Sequence, residues 1–515
     1  MQFTELSAYP LVPGTLGQWM PTAERDFDKW RPDDRGTSYV HEAHLRGAYD
    51  LLARRRIVGG RESWLAVGIE FDEPLSIPGL REALTAWINR HEVLRTHVIL
   101  QETDAGERSD GETDAGERSD GETDAGERTV VRRSLPADGV ELDLRMIGTY
   151  HSVDPLRDQL QGEFDRATAP LTWPAYMFAT VARPDSFTLF FAADHSLVDG
   201  YSLVLAPHEI ASLYRKATKG SPARLLPTGS YVDFSAAERK DAARADADHR
   251  AARLWRAHLH ESGGEMASFP MPLLPTSAAA LAVETKAALT HDAEGVPRIP
   301  QGALNFHLLD DDRTNKFTLV CSEAGATLVT GVLACMARIN TDLGFGPVFR
   351  CVIPRHTRNA EQWLAALGWF VAIAPFRLDT TGARGFGDLA RRAQQQWKQS
   401  KPGTELPFLR VGELIGTTPT PRFVISFMDT RSAPGAAYND AGGAAVLRSR
   451  DYSIEDVYLW VNRTPSGLHV AARFPGFETA RRAVTLYLGA LRSLLTEIGD
   501  SSAYGGGVLP VPPSA

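Results

Sequence analysis

The 515-residue chain predicts an α/β protein of two lobes, each built from mixed strands and helices. Three observations carry that expectation. First, 43% of the residues are hydrophobic, which at this length is enough for two cores. Second, strand-like and helix-like runs intermix in both halves. Third, the stretch Lys219-Gly220-Ser221-Pro222-Ala223 reads as a linker between two such sets. A first lobe is therefore expected over 1–216, a linker over 217–228 and a second lobe over 229–515.

In the first lobe, 64–71 reads as a strand. Residues 77–91 read as a helix with Leu80, Leu84, Trp87 and Ile88 on one face, and 93–100 returns as a strand. Residues 102–128 then repeat Glu-Thr-Asp-Ala-Gly-Glu-Arg-Ser-Asp-Gly twice in full and once in part. The repeat holds no aromatic and no aliphatic side chain larger than alanine. It cannot bury a core and reads as a solvated, disordered acidic loop at a hairpin tip. It carries −8 of the formal net charge of −9. The remainder is near neutral, with no basic field to attract nucleic acid. Extended structure resumes at 129–133, and 154–167 is an amphipathic helix. Strands at 174–182 and 186–193 flank the turn Arg183-Pro184-Asp185, and a helix follows from 201 to about 216.

In the second lobe, 236–261 reads as one long charged helix. Residues 264–300 are rich in Pro, Ala and Gly and show little periodicity. Strands are expected at 303–309, 348–353, 370–377, 422–427, 457–462 and 468–474, and a helix over 479–498 closes the chain. Cys321, Cys335 and Cys351 lie in apolar contexts without metal-ligand spacing. They read as buried free thiols in a reducing cytoplasm, and no metal site is expected. The N-terminal residues do not read as a signal peptide, and no run reaches the roughly 18 apolar residues of a membrane span.

The most informative stretch is Asp194-His195-Ser196-Leu197-Val198-Asp199-Gly200. It follows an apolar strand and precedes a helix, so His195 stands where a core strand ends, a common place for catalytic side chains. Histidine exchanges a proton near neutral pH, as activation of a hydroxyl or amine requires. Gly200 permits a tight turn or a backbone conformation closed to residues with a Cβ. Read alone, the same pattern also suits a core histidine beside an Asp-Gly turn.

Other segments bear on that choice. Asn89-Arg90-His91-Glu92-Val93-Leu94-Arg95-Thr96, the His195 motif, Ser230-Tyr231-Val232-Asp233-Phe234, Leu367-Gly368-Trp369-Phe370-Val371 and Leu406-Pro407-Phe408 occur in one order. In that order they resemble the motifs of nonribosomal peptide synthetase condensation domains and of the stand-alone polyketide-associated acyltransferases. The opening Pro13-Gly14 to Trp19-Met20-Pro21-Thr22 and Phe269-Pro270-Met271-Pro272-Leu273 are most similar to the mycobacterial acyltransferases that acylate trehalose. Two positions depart from the wider pattern. Asp194 stands where a first histidine is usual, and Ala372 stands where asparagine follows the Phe-Val pair.

The resemblance implies two chloramphenicol-acetyltransferase-like lobes in a V-shaped pseudo-dimer, with a channel between them. It implies His195 as general base and no acyl-enzyme. Asp199 would be a structural anchor paired with Arg355 or Arg358, and Gly200 and Asp194 would be structural. Trp369 and Phe370 would line the channel or pack the core beside it. Gln18, Arg90 and Arg95 match family positions and read as structural. The oxyanion donors are not identified; backbone N–H groups near Gly200 are candidates. No bound cofactor is implied. The co-substrate would be acyl-CoA or a phosphopantetheinyl carrier protein, and the acceptor a small molecule. An acyl-carrier protein or polyketide synthase is an expected partner, and the chain itself an expected cytoplasmic monomer. A lipid product implies transient membrane contact, although no basic amphipathic helix marks a surface for it. Ester formation on a sugar or secondary-metabolite hydroxyl leads. Amide formation and a non-catalytic docking role are the alternatives.

Overall fold

The computed structural model describes residues 1–55, 63–102, 128–271, 278–291 and 297–501. Its two large sheets are both mixed. The first has seven strands in the order Gln2–Glu5, Ala444–Arg448, Trp64–Phe71, Phe187–Asp194, Tyr176–Ala182, Thr15–Thr22 and Glu141–Thr149. The second has six, in the order Gln301–Asp310, Gly467–Pro475, Val457–Thr464, Phe423–Asp429, Val348–His356 and Val371–Asp379.

Strand Phe187–Asp194 is buried at every position, which is why it reads as a continuous apolar run. It pairs with Trp64–Phe71 on one side and Tyr176–Ala182 on the other. Helix Gly200–Lys219 follows it, and ends on Gly220 in the left-handed conformation at φ +70°. Residues 220–230 then run without helix or strand to helix Tyr231–Ala243, which Ser230 caps at the Val232 N–H.

The expected strands of the second lobe are present, each extended at one or both ends. Several elements differ from expectation. The stretch 236–261 is not one helix but parts of two, Tyr231–Ala243 and Arg250–Glu261, with a turn closed by the His249 N–H on the Asp246 carbonyl. The strand expected at 93–100 begins as a 3₁₀ turn, Glu92–Arg95, before strand Thr96–Glu102. A helix, Ala278–Ala288, lies in the stretch that lacked periodicity.

Strand Ala444–Arg448 has the largest consequence for the architecture. It comes from the second half of the chain yet lies inside the first sheet, parallel to Gln2–Glu5 and antiparallel to Trp64–Phe71. The strands flanking the acidic repeat pair in register out to Glu102 opposite Arg128. Residues 103–127, and with them the loop reading, lie outside the described residues.

Cys321, Cys335 and Cys351 are buried and free, and burial pushes the Cys321 thiol up to about 12. Among the described residues no group of His, Cys, Asp and Glu could hold a metal ion. No single described helix is long and apolar enough to cross a membrane.

Candidate active site at the lobe junction

His195 leaves the end of strand Phe187–Asp194 with its N–H on the Ser63 carbonyl at 3.0 Å. Its ring stacks on Trp369 with centroids 4.0 Å apart. Nδ1 is buried, while the residue as a whole is partly exposed. Burial pushes the imidazole pKa below its usual value. The His195 backbone carbonyl and the carboxylates of Asp194 and Asp199 pull against that shift, and nearby His44 adds to it. The ring is therefore neutral at pH 7, the state a general base needs.

Asp194 is fully buried and turns away from the imidazole that follows it. It accepts from the Ser196 N–H at 2.9 Å and from the Ser63 hydroxyl, and it pairs with His44 Nε2 at 3.1 Å. Burial alone would raise this carboxyl. His44 and the two donors outweigh burial and hold it at about 2. His44, on helix Tyr39–Arg55, also meets the edge of Trp369 with centroids 5.7 Å apart. His44 and Ser63 therefore belong to the site, although no local motif marks either one.

Asp199 faces the second lobe. It is the N-cap of helix Gly200–Lys219 and accepts from the Ser202 N–H at 2.7 Å and the Ser202 hydroxyl at 2.8 Å. Arg358 closes a bidentate pair, Nη1 to Oδ2 at 2.6 Å and Nη2 to Oδ1 at 3.0 Å. The Phe370 N–H adds a bond to Oδ2 at 3.1 Å. Burial opposes the charge, but Arg358 and Ser202 together keep the Asp199 pKa below the usual carboxylate range. Because Asp199 takes the Ser202 N–H, that amide is not available to an oxyanion.

The choice left open between two arginines has a geometric answer. Arg358 meets Asp199. Arg355 points elsewhere, with Nη2 on the Trp397 carbonyl at 2.7 Å and on Ser400 Oγ at 2.9 Å, and its guanidinium over the Trp397 ring. The sequence reading placed Arg355 at the active site; the structure attaches it to the second lobe's own helix, Phe386–Gln399, instead.

Gly200 also differs from expectation. It is not among the positive-φ glycines, so no special backbone conformation calls for it. Space explains it better, since a Cβ there would come 3.3 Å from the Phe3 ring. Gly368 is the glycine the site demands. At φ +157°, its Cβ would fall 2.3 Å from Tyr231. That contact lets the 367–370 segment bring Trp369 over His195.

The two aromatic positions divide. Phe370 is fully buried core, while Trp369 is partly buried and forms a wall against His195. Gln18 bonds Glu163, Arg90 bonds Glu209, and Arg95 bonds the Leu135 carbonyl, each away from the imidazole.

The condensation-domain family model matches residues 149–425. The chain is 26% identical to the acyltransferase PapA3 of Mycobacterium tuberculosis (strain ATCC 25618 / H37Rv) over 522 residues, covering 96% of this chain and 98% of the relative. It is 25% identical to 2'-acyl-2-O-sulfo-trehalose (hydroxy)phthioceranyltransferase PapA1 of Mycobacterium tuberculosis (strain CDC 1551 / Oshkosh), covering 96% and 89%. The solved PapA2 acyl transferase superposes with a TM-score of 0.78 at 23% identity over 97% of this chain and all 100% of that one. The first condensation domain of the calcium-dependent antibiotic synthetase superposes with a TM-score of 0.61 at 16% identity, over 91% and 97% of the two chains. Both structural likenesses carry the mixed α/β, chloramphenicol-acetyltransferase-like fold. With a family match over more than half of its length and acyltransferase relatives that span nearly all of it, the chain belongs to the condensation-domain family and is an acyltransferase.

Proposed function

We propose that the protein transfers an acyl group from a phosphopantetheine thioester, acyl-CoA or acyl-carrier protein, to a hydroxyl of a sugar acceptor. The observation that carries this reading is the state of His195: neutral, partly exposed, with Nδ1 buried and its face held by Trp369. The nitrogen left to meet substrate is Nε2. It accepts the hydroxyl proton as the oxygen attacks the thioester carbonyl. Collapse of the tetrahedral intermediate then breaks the C–S bond, and the imidazolium returns the proton to the departing sulfur. No acyl-enzyme forms. The bonds Asp199 makes to Arg358, Ser202 and Phe370 leave it as the group that fixes the loop and joins the lobes, not as a partner of the imidazole. The sugar class is supported by the relative PapA1, which acts on a sulfated trehalose.

The test is acceptor-dependent thiol release from a panel of acyl-CoAs and loaded carrier proteins, with sugar, alcohol and amine acceptors. His195→Ala should lower turnover by about 10²-fold or more while melting like the parent. Equal turnover in the variant would remove His195 from the chemistry. An amide product in the mass spectrum would replace the ester reading.

A further inference from the structure

A histidine that has taken the acceptor proton is a cation held partly out of water, and such a charge is unfavourable until a neighbour offsets it. In a Ser-His-Asp arrangement a carboxylate on Nδ1 supplies the offset. Here neither nearby carboxylate bonds the ring. Asp194 is committed to His44, Ser63 and the Ser196 N–H. Asp199 is committed to Arg358, Ser202 and the Phe370 N–H, and the Arg358 guanidinium offsets its charge. His195 Nδ1 is buried without a hydrogen-bond partner. The residue's own carbonyl and the two carboxylates favour the charged ring, while burial and His44 oppose it.

The group that lies against the ring is the Trp369 indole. The two planes are 29° apart with centroids at 4.0 Å. That is well inside the roughly 6 Å over which an aromatic face attracts a cation, and tryptophan offers the strongest such face. The attraction comes from the ring quadrupole, which puts negative charge on the face. Toward a neutral imidazole the contact is ordinary packing. Toward an imidazolium it is electrostatic as well, so it strengthens as the proton arrives, and interactions of that kind lower a barrier. The indole is also fixed in advance. The Gly368 N–H meets Ser202 Oγ at 3.2 Å and the Phe370 N–H meets Asp199 Oδ2 at 3.1 Å, which ties both flanks of Trp369 to the start of helix Gly200–Lys219. The Tyr231 hydroxyl donates to the Trp369 carbonyl at 3.3 Å.

We propose that Trp369 stabilises the imidazolium form of His195 through its π face, taking the part that a carboxylate takes in a triad. The second lobe thereby contributes to the chemistry of a base that the first lobe carries. This inference rests on the acyl-transfer reading for the step in which the cation forms, but its first test does not need turnover.

That test is an NMR titration of the full chain carrying ¹³C-labelled histidine, with the His195 resonance assigned by its loss in His195→Ala. The tryptophan at 369 is replaced in turn by its mono-, di- and trifluorinated forms, which keep the shape of the ring and drain charge from its face. The expected result is a stepwise fall in the proton affinity of His195 along the series, by a total of about 2- to 30-fold, with an unchanged melting temperature. Trp369→Phe, which keeps a weaker face, should fall in the same direction. A His195 titration that is the same in the parent and in every fluorinated form would overturn the proposal. Because fluorination preserves shape, a merely structural role for Trp369 would give that flat result. If Trp369→Phe does not fold, the fluorinated series decides alone.

Thiol release then tests the step itself. Along the fluorinated series kcat should fall in the same order as the proton affinity, and the acid-side inflection of kcat/KM should move down with it. A change confined to the KM of the acceptor would make Trp369 a channel wall only and overturn the proposal. A His195 titration that shifts as expected, beside a His195→Ala variant as active as the parent, would refute the reaction scheme and leave the Trp369–imidazolium pairing standing.

Discussion

The two aspartates that flank His195 are both essentially inaccessible, at 0% and 2% exposure, yet they are held from opposite directions. Asp194 takes its bonds from within the first lobe: His44, Ser63 and the Ser196 N–H. Asp199 takes two from its own helix and three across the junction, from Arg358 and the Phe370 N–H. One carboxylate sets the loop within its lobe. The other sets the second lobe against that loop. His195, between them, is positioned by residues from both halves of the chain, although it belongs to one.

The strongest way to break this contrast is Asp199→Ala. It leaves the Arg358 guanidinium, 4% exposed, without its carboxylate. Stability measured by chemical denaturation should fall by about 3–5 kcal/mol. In a double-mutant cycle with Arg358→Ala, the combined loss should be smaller than the sum of the single losses. A loss under about 1 kcal/mol from Asp199→Ala would mean that the pair does not join the lobes.

Asp194→Asn should act on acid stability. The folded carboxyl sits at about 2 against an ordinary value of 3.8. A depressed carboxyl contributes stability above its unfolded pKa and loses it as pH falls through the folded one. The parent should therefore lose on the order of 2 kcal/mol between roughly pH 4 and pH 2 through this group, and the variant should show a flatter curve there. Identical curves would remove Asp194 from the stability of the loop.

The same substitution sharpens the catalytic side. With the His195 pKa below the ordinary 6.5, kcat/KM should be level near neutral pH and fall only on the acid side of that value. Removing the Asp194 charge, which pulls the imidazole pKa up, should move the inflection further down. An inflection above 6.5 would contradict the buried neutral base. The smallest expected effect is that of Arg355→Lys. It loses the stacking on Trp397 and one bond geometry, about 1 kcal/mol or less, and should leave kcat/KM unchanged. A large drop in activity would erase the distinction drawn between the two arginines.

What was legible in the sequence follows from how local each signal is. The strand–loop–helix around His195 is written in consecutive residues: a buried run, a capping aspartate, then helical spacing. The second sheet was legible for the same reason. The strands that escaped notice lack such a run. Thr15–Thr22 contains Gly17 and Pro21, both poor strand formers, and Glu141–Thr149 alternates irregularly at a sheet edge. Ala444–Arg448 is five residues long, and its partners lie in the other half of the chain. The site shows the same division. Asp199 lies in the motif itself, and the two candidate arginines were supplied by the family resemblance rather than by any local pattern. His44, 150 residues before Asp194, could not be read, because no local periodicity reports a contact across that separation.

Strand Ala444–Arg448 also decides what counts as an indivisible part of this protein. Cutting the chain in the 220–230 connection would not release two self-sufficient halves. The N-terminal fragment would be left with strand Trp64–Phe71 as a raw edge, and with Gln2–Glu5 stripped of the neighbour it pairs with in that sheet. The C-terminal fragment would carry an orphan strand with nothing to pair against. Such fragments would recover structure only by finding each other. Exchange of genetic material between relatives would meet the same constraint, since a crossover placed at the connection must bring a matching strand from the far side of the gene.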